Sequence, residues 1–307
     1  MLSIQAYLLK SYYRLQQRLS PPRRELDLVK ERAELEAIAK MFKPPVDFKV
    51  SPVEVEGIKA EWITPSDVTG EKIVLYLHGG YYLIGSIQTH RTLAGNIAIA
   101  AQSRALIIEY RLAPEHPFPA ALEDAEKAYS WLLASGARPE QIILAGDSAG
   151  GGLVLATLLV LRDEGKPLPA SAVCLSPATD LTMTSESWII NLKKEFVVNP
   201  YTARQIQPLY LKEIPATNPL ASPIYGDLHG LPPLLIQVGS EEALLCDSTG
   251  FAERARAAGV DVTLEVWPGM FHVWQATAPM IPEARQAIDR IGEFIKTVSM
   301  RNESPAQ

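Results

Sequence analysis

Short apolar runs recur along the chain between longer stretches whose apolar positions repeat at helical spacing. Eight of these runs read as strands: 48–55, 58–64, 73–77, 105–110, 142–145, 172–175, 234–238 and 262–266. The first two lie close enough to form a hairpin. The other six are apolar almost throughout, the pattern of strands covered on both faces. Helices are expected near 86–101, 118–134, 149–163, 246–258 and 281–298. Two more, 3–18 and 22–41, precede the first strand and are separated by Pro21-Pro22. Within the first, Ile4, Leu8, Tyr12, Leu15 and Leu19 fall at helical spacing. Alternating strands and helices of this kind predict an α/β fold: a mostly parallel eight-stranded sheet flanked by helices.

Residues 181–225 break the rhythm. They contain no strand-like run and carry Trp188, Phe196, Tyr201 and Tyr210 in two helical pieces around Asn199-Pro200. An insertion of that length between strands usually serves function. Together with the N-terminal helices it is expected to form a helical cap. The expected organisation is 1–45 as the first part of the cap, 46–180 as core, 181–225 as cap insertion, 226–299 as core and 300–307 as a flexible tail.

Composition narrows the class. The chain has 307 residues, 47% of them hydrophobic, enough for one sizeable core. A net charge of −6 argues against a nucleic-acid partner, which calls for a basic face. Cys174 and Cys246 are far apart and lack CxxC spacing, so both are expected as free thiols in a reducing compartment. No metal-ligand spacing occurs, and neither a metal nor another cofactor is expected. The N-terminus lacks the basic start, unbroken apolar run and small-residue cleavage site of a signal peptide. No apolar run is long enough for a membrane span. A cytoplasmic location is the expectation.

The chemistry enters at residues 146–150, Gly-Asp-Ser-Ala-Gly. An apolar strand-like run precedes this G-x-S-x-G, and the small-residue helical run GGGLVLATLLVL follows it. A serine on such a sharp strand-to-helix turn has its hydroxyl exposed. Gly146 and Gly150 leave room where side chains would meet the neighbouring strand and helix. This is the pattern of a nucleophile elbow in an α/β-hydrolase, with Ser148 as nucleophile. Taken alone, the pentapeptide also occurs by chance in Gly-rich turns, so the other catalytic groups must be found.

In that fold the acid and then the histidine follow the serine along the chain. Of five histidines, only His229 and His272 come after Ser148. His229 sits in a turn that leads into a strand, at the wrong edge of the sheet. His272 sits in the loop after strand 262–266, at the carboxyl edge where catalytic groups gather. The acid belongs in the loop after strand 234–238, which offers Glu241, Glu242 and Asp247. Its task is to fix the tautomer of His272 and stabilise the imidazolium. Periodicity does not choose among the three.

With these residues in place, the chain resembles the bacterial hormone-sensitive-lipase-like esterases of the GDSAG branch from about Val46 to Ile295. Four stretches carry the resemblance: His78-Gly79-Gly80, Tyr110-Arg111-Leu112-Ala113-Pro114-Glu115, Gly146-Asp147-Ser148-Ala149-Gly150-Gly151 and Met270-Phe271-His272. The resemblance implies Glu242 as the acid, because the family's acid precedes an x-Leu pair and Ala243-Leu244 follows here. Glu241 is the fallback. It also implies an oxyanion hole in the segment Gly79-Gly80-Tyr81, whose donors are the N–H groups of Gly80, Tyr81 and Ala149. One such donor is worth roughly 3–4 kcal/mol of transition-state stabilisation. Family members usually have a third glycine where Tyr81 stands, and Tyr keeps the N–H while restricting the backbone. His78 is expected to support the loop through a hydrogen bond. Arg111 and Glu115 are expected to tie the loop after their strand to the oxyanion segment. Asp147 either orients neighbouring loops or is a surface carboxylate.

The function implied is a serine carboxylesterase acting on small esters with short to medium acyl chains through an acyl-enzyme. Tyr81, Tyr82, Trp188 and Phe196 are expected to crowd the substrate pocket and favour short acyl groups. Two alternatives belong to other classes: a small-molecule-binding protein that has lost catalysis, whose usual signature is a missing triad histidine, and an amidase or peptidase on the same fold. The family also suggests a homodimer paired through an edge strand, here 262–266.

Overall fold

The computed structural model describes residues 2–19, 26–41, 47–68 and 70–303. Two helices come first, α1 (Ile4–Leu19) and α2 (Leu28–Met41). The core then runs β1 (Phe48–Val55), β2 (Ile58–Pro65), β3 (Ile73–Leu77), α3 (Ile87–Ala101), β4 (Arg104–Ile108), α4 (Ala120–Ala134), β5 (Ile142–Asp147), α5 (Ala149–Asp163) and β6 (Ser171–Leu175). Two short helices follow, α6 (Glu186–Ile190) and α7 (Pro200–Arg204), and then β7 (Leu234–Gly239), α8 (Leu245–Ala257), β8 (Val262–Trp267) and α9 (Pro282–Glu303). The break at Pro21-Pro22 and residues 304–307 lie outside the described residues.

The strands form one sheet in the order β1-β2-β4-β3-β5-β6-β7-β8. β1 and β2 pair antiparallel through a two-residue turn, with Val55 opposite Ile58. Glu56 and Gly57 both take positive φ there, as a tight hairpin turn requires. β2 also runs antiparallel to β4, and every pairing from β4 to β8 is parallel. Side chains alternate between two cores. Ile73, Leu75, Leu77, Leu144 and Ile236 face the layer of α4, α5 and α8. Val74, Tyr76, Ile143, Ala145 and Leu235 face that of α3 and α9. Both layers exclude water from β3, β5, β6 and β7, which is why those strands read as uniformly apolar; β8, expected to be covered on both faces, lies at the sheet edge and buries only Val262.

The fold therefore matches the expected α/β-hydrolase architecture, with small shifts in bounds. The strand expected to reach Tyr110 stops at Ile108, and the one expected to stop at Ala145 runs on to Asp147. Two findings depart from simple pattern reading. The stripe Ile4, Leu8, Tyr12, Leu15 and Leu19 of α1 is exposed. The helix instead seats Ala6, Leu9 and Lys10, with the Lys10 ammonium 2.6 Å from the Gly269 carbonyl oxygen. The final helix runs to Glu303 rather than ending near 298.

Candidate active site

Ser148 lies between β5 and α5 with φ 53° and ψ −121°, a backbone conformation that costs a non-glycine residue about 1–3 kcal/mol. The surrounding backbone holds it there. Its N–H donates to the Leu175 carbonyl (2.8 Å), and its carbonyl accepts from the N–H groups of Gly152 and Ala178 (both 3.0 Å). A methyl on Gly146 would stand 2.5 Å from the Gly150 carbonyl oxygen and 2.7 Å from that of Leu77. One on Gly150 would collide with the carbonyl oxygens of Leu77 and His78.

The structure separates the three carboxylates of the loop after β7. Glu242 is fully buried, and the His272 ring donates from Nδ1 to its Oε2 at 2.8 Å. A carboxylate only accepts, so Nδ1 carries the hydrogen and Nε2 is left as a base. The other oxygen, Oε1, accepts from the Ser176 hydroxyl (2.8 Å) and the Gly239 N–H (2.5 Å). Glu241 turns away to Lys10 and Arg14 of α1, both at 2.9 Å. Asp247 accepts from the N–H groups of Thr179 (3.1 Å) and Asp180 (3.0 Å). Burial pushes the His272 pKa down. The hydrogen bond and charge of Glu242, with the charges of Glu195 and Asp147, outweigh it and hold His272 above its ordinary value. Burial raises Glu242 in turn, against the pull of His272. His229 is exposed, its ring pairs with Asp227 and its carbonyl accepts from Arg162, and it takes no part in this chemistry.

The segment after β3 is held from three sides. Asp147 is buried, and its Oδ1 accepts from the Tyr76 hydroxyl (2.7 Å) and the Gly79 N–H (3.1 Å). His90 Nε2 stands 3.3 Å from Oδ2. Burial pushes both groups toward neutrality, yet each favours the charged form of the other: His90 lies above its usual pKa and Asp147 below. Asp147 is thus an orienting group and not a surface carboxylate. His78 hydrogen-bonds the Gly79 carbonyl through Nδ1 (2.9 Å) and stacks on Tyr110. Burial and the neighbouring His90 pull its pKa down to about 3, so it stays neutral.

The Gly79 N–H is committed to Asp147, so Gly79 belongs to the oxyanion segment without being one of its donors. Among the described residues the N–H groups of Gly80 and Tyr81 have no acceptor. The Ala149 N–H, first in α5, has none within its helix. Tyr81 takes φ 60°, the left-handed conformation a glycine would supply, and its hydroxyl accepts from the Asn199 N–H (2.9 Å). Of the expected tie through Arg111 and Glu115, the Arg111 half is corrected, while Glu115 reaches the oxyanion loop through Arg32, which also donates to the Leu83 carbonyl. Arg111 pairs with Glu123 and Asp124 of α4, and Glu115 with Arg32 of α2. The same stretch also binds the oxyanion segment directly: the Tyr110 hydroxyl donates to the His78 carbonyl (2.6 Å) and the Ala113 N–H to the Tyr82 carbonyl (2.9 Å).

A small apolar cavity of about 20 Å³ opens beside Ser148 and Ala149, room for about one water. Tyr81, Tyr82 and Trp188 line it, together with Leu244 of the acid loop and Val198, Ala203 and Ile206 of the insertion. Phe196 does not line it. Its ring stacks on Tyr13 (5.3 Å between centroids) and tilts against Phe271 (5.1 Å) on the other side of the acid loop. His90 and Glu195, which shape the site, have no signal in the sequence; what links them to it, Asp147 and the Ala243 N–H, is distant from each along the chain. No group of three His, Cys, Asp or Glu side chains among the described residues is arranged to hold a metal, and no described helix is long and apolar enough to cross a membrane.

Known proteins resemble this chain in sequence and fold. A family model for the α/β-hydrolase fold matches residues 74–276. An acetyl-hydrolase of Streptomyces hygroscopicus is 46% identical over 86% of this chain and 87% of its own. The crystal structure of an esterase from the bacterial hormone-sensitive lipase family superposes with a TM-score of 0.91 at 46% identity, covering 97% of this chain and 99% of that one. EstE5, crystallised and soaked with p-nitrophenyl butyrate, superposes with a TM-score of 0.93 at 45% identity over the same shares. With its G-x-S-x-G turn, its sheet order and these relatives, the chain belongs to the bacterial hormone-sensitive-lipase-like esterase family of the α/β-hydrolase fold.

Proposed function

We propose that the protein is a serine carboxylesterase in which Ser148, His272 and Glu242 form the triad. The observation that carries this reading is the 2.8 Å hydrogen bond from His272 to the buried Glu242, set at the same sheet edge as the strained Ser148 turn. His272 Nε2 takes the proton as Ser148 Oγ attacks the ester carbonyl. The N–H groups of Gly80, Tyr81 and Ala149 receive the negative charge that develops on the carbonyl oxygen. His272 returns the proton to the departing alcohol, leaving an acyl-enzyme. Water activated by the same ring then releases the acid.

The relatives' names, acetyl-hydrolase and esterase, and the butyrate ester used on EstE5 support esters with short acyl groups. So does the size of the cavity beside Ser148, which is too small for a long chain without movement of the residues around it. The helices at 1–45 and the insertion 181–225 act as the cap: Arg32 of α2 donates to the Leu83 carbonyl of the oxyanion loop (2.8 Å), and the insertion supplies Trp188 and Val198 to the cavity. A cytoplasmic location, no nucleic-acid partner and a homodimer paired along β8, an edge strand of the sheet, complete the proposal. Light scattering on the purified chain measures its mass in solution and tests the dimer.

The direct test is hydrolysis of p-nitrophenyl butanoate by wild type and Ser148→Ala. Activity in the wild type and its loss in the variant are expected. Full activity in the variant overturns the scheme.

A further inference from the structure

We infer that Glu195, in the insertion, is a positioning residue for the triad acid: it and Asn191 grip the two ends of the peptide bond that follows Glu242. This rests on the reading of Glu242 as the acid. Glu195 is 2% exposed, and its carboxylate gathers four backbone donors. Oε1 accepts from the N–H groups of Phe196 (2.9 Å), Val197 (2.8 Å) and Val198 (3.2 Å). Oε2 accepts from the Ala243 N–H at 3.2 Å. Ala243 is fully buried, and without Glu195 its N–H has no other acceptor. An orphaned buried donor is costly, so the loop would shift to satisfy it.

The other end of that peptide is the Glu242 carbonyl, which accepts from Asn191 Nδ2 at 2.9 Å. A third buried side chain of the insertion, Ser187, donates to the Ala243 carbonyl (2.5 Å) and accepts from the Cys246 N–H (3.0 Å). By contrast, the loop's own backbone bonds around the acid are long. Glu242 N–H to the Gly239 carbonyl and Leu245 N–H to the Glu242 carbonyl both measure 3.4 Å. The core holds the Glu242 carboxylate through Ser176 and Gly239, while the insertion supplies the side-chain bonds that hold the backbone following it. Glu195 thereby joins three elements: the acid loop, the backbone of Val198 at the cavity wall, and α1, whose Gln17 amide donates to its carbonyl (3.1 Å).

The test is Glu195→Gln, which keeps the shape but puts an amide donor against one set of N–H groups. A kcat loss of about tenfold with little change in KM is expected, the size of one charge-assisted hydrogen bond. The acid limb of kcat/KM should also move to lower pH. The charged groups facing His272 are Glu242 from the acid loop, Asp147 from β5 and Glu195, so removing the last lowers the histidine's pKa. A variant with wild-type kcat and an unmoved limb, or one that changes KM alone, overturns the inference. If Glu195→Gln does not fold, Asn191→Ala frees only the carbonyl end: a kcat loss there supports the inference and an unchanged kcat overturns it. Ser148→Ala is assayed alongside. If it stays active, the triad reading itself has failed. If it is dead while Glu195→Gln matches wild-type kcat and pH profile, the positioning role alone has failed.

Discussion

The turn that holds Ser148 and the loop that holds Glu242 sit at the same edge of the sheet but are fixed by different means. The serine turn is held by the core: Leu175 in the neighbouring strand, Gly152 in its own helix and Ala178 bind its backbone at 2.8–3.0 Å. The acid loop's own backbone-to-backbone bonds around Glu242 are 3.4 Å long, and the backbone that follows Glu242 is gripped by Ser187, Asn191 and Glu195 of the insertion. The nucleophile's position thus follows from the fold, whereas the acid's carboxylate is held by the core groups Ser176 and Gly239 and the backbone after it by a segment added to the fold. Changes in the insertion are expected to reach the triad through its acid.

The largest expected effect is at the serine. Ser148→Ala should lower kcat by about 10⁴-fold or more, measured by ester hydrolysis against a matched buffer blank. Glu242→Ala comes next, at about 10²–10⁴-fold in kcat, because His272 loses the partner that fixes its tautomer. Glu241→Gln is its control and should leave kcat near wild type, since Glu241 faces Lys10 and Arg14. Equal losses in the two variants would mean that the wrong carboxylate has been assigned. Gly150→Ala should destabilise the folded state by about 1–3 kcal/mol in chemical denaturation, since its methyl meets backbone carbonyls that have little room to yield.

Two smaller effects sharpen the picture. His272 must be neutral to act as the base, and its pKa is raised. Activity is therefore lost as pH falls through a value above about 6.5, the ordinary histidine pKa. An acid limb centred below that value in kcat/KM would contradict the Glu242–His272 pairing. Trp188→Ala enlarges the cavity beside Ser148 and should raise activity on octanoate relative to acetate esters. An unchanged ratio would place the acyl chain elsewhere.

What was legible in the sequence follows the same division. The strands, the elbow and His272 could be read because buried strands are uniformly apolar, and because a sharp turn needs glycine where Gly146 and Gly150 stand. The choice of Glu242 over Glu241 and Asp247 was not in the local pattern, since all three are carboxylates in one loop; only the resemblance singled it out. Phe196 read as a pocket wall from its bulk, but its partners are Tyr13 and Phe271, far away along the chain. Gly79 read as part of the oxyanion segment from its motif, but its N–H is taken by Asp147, a residue whose burial nothing nearby foretold. Glu195 left no trace because its four partners are backbone N–H groups, which every residue but proline carries. Alternation on α1 likewise marked a helix without telling which face would be covered.

The most direct measurement is covalent labelling. The protein is treated with a fluorophosphonate ester, digested and mapped by mass spectrometry. One adduct per chain on the peptide containing Ser148, absent from Ser148→Ala, is the expected result. An adduct on a different residue, or none on a folded chain that hydrolyses p-nitrophenyl butanoate, would show that Ser148 is not the nucleophile.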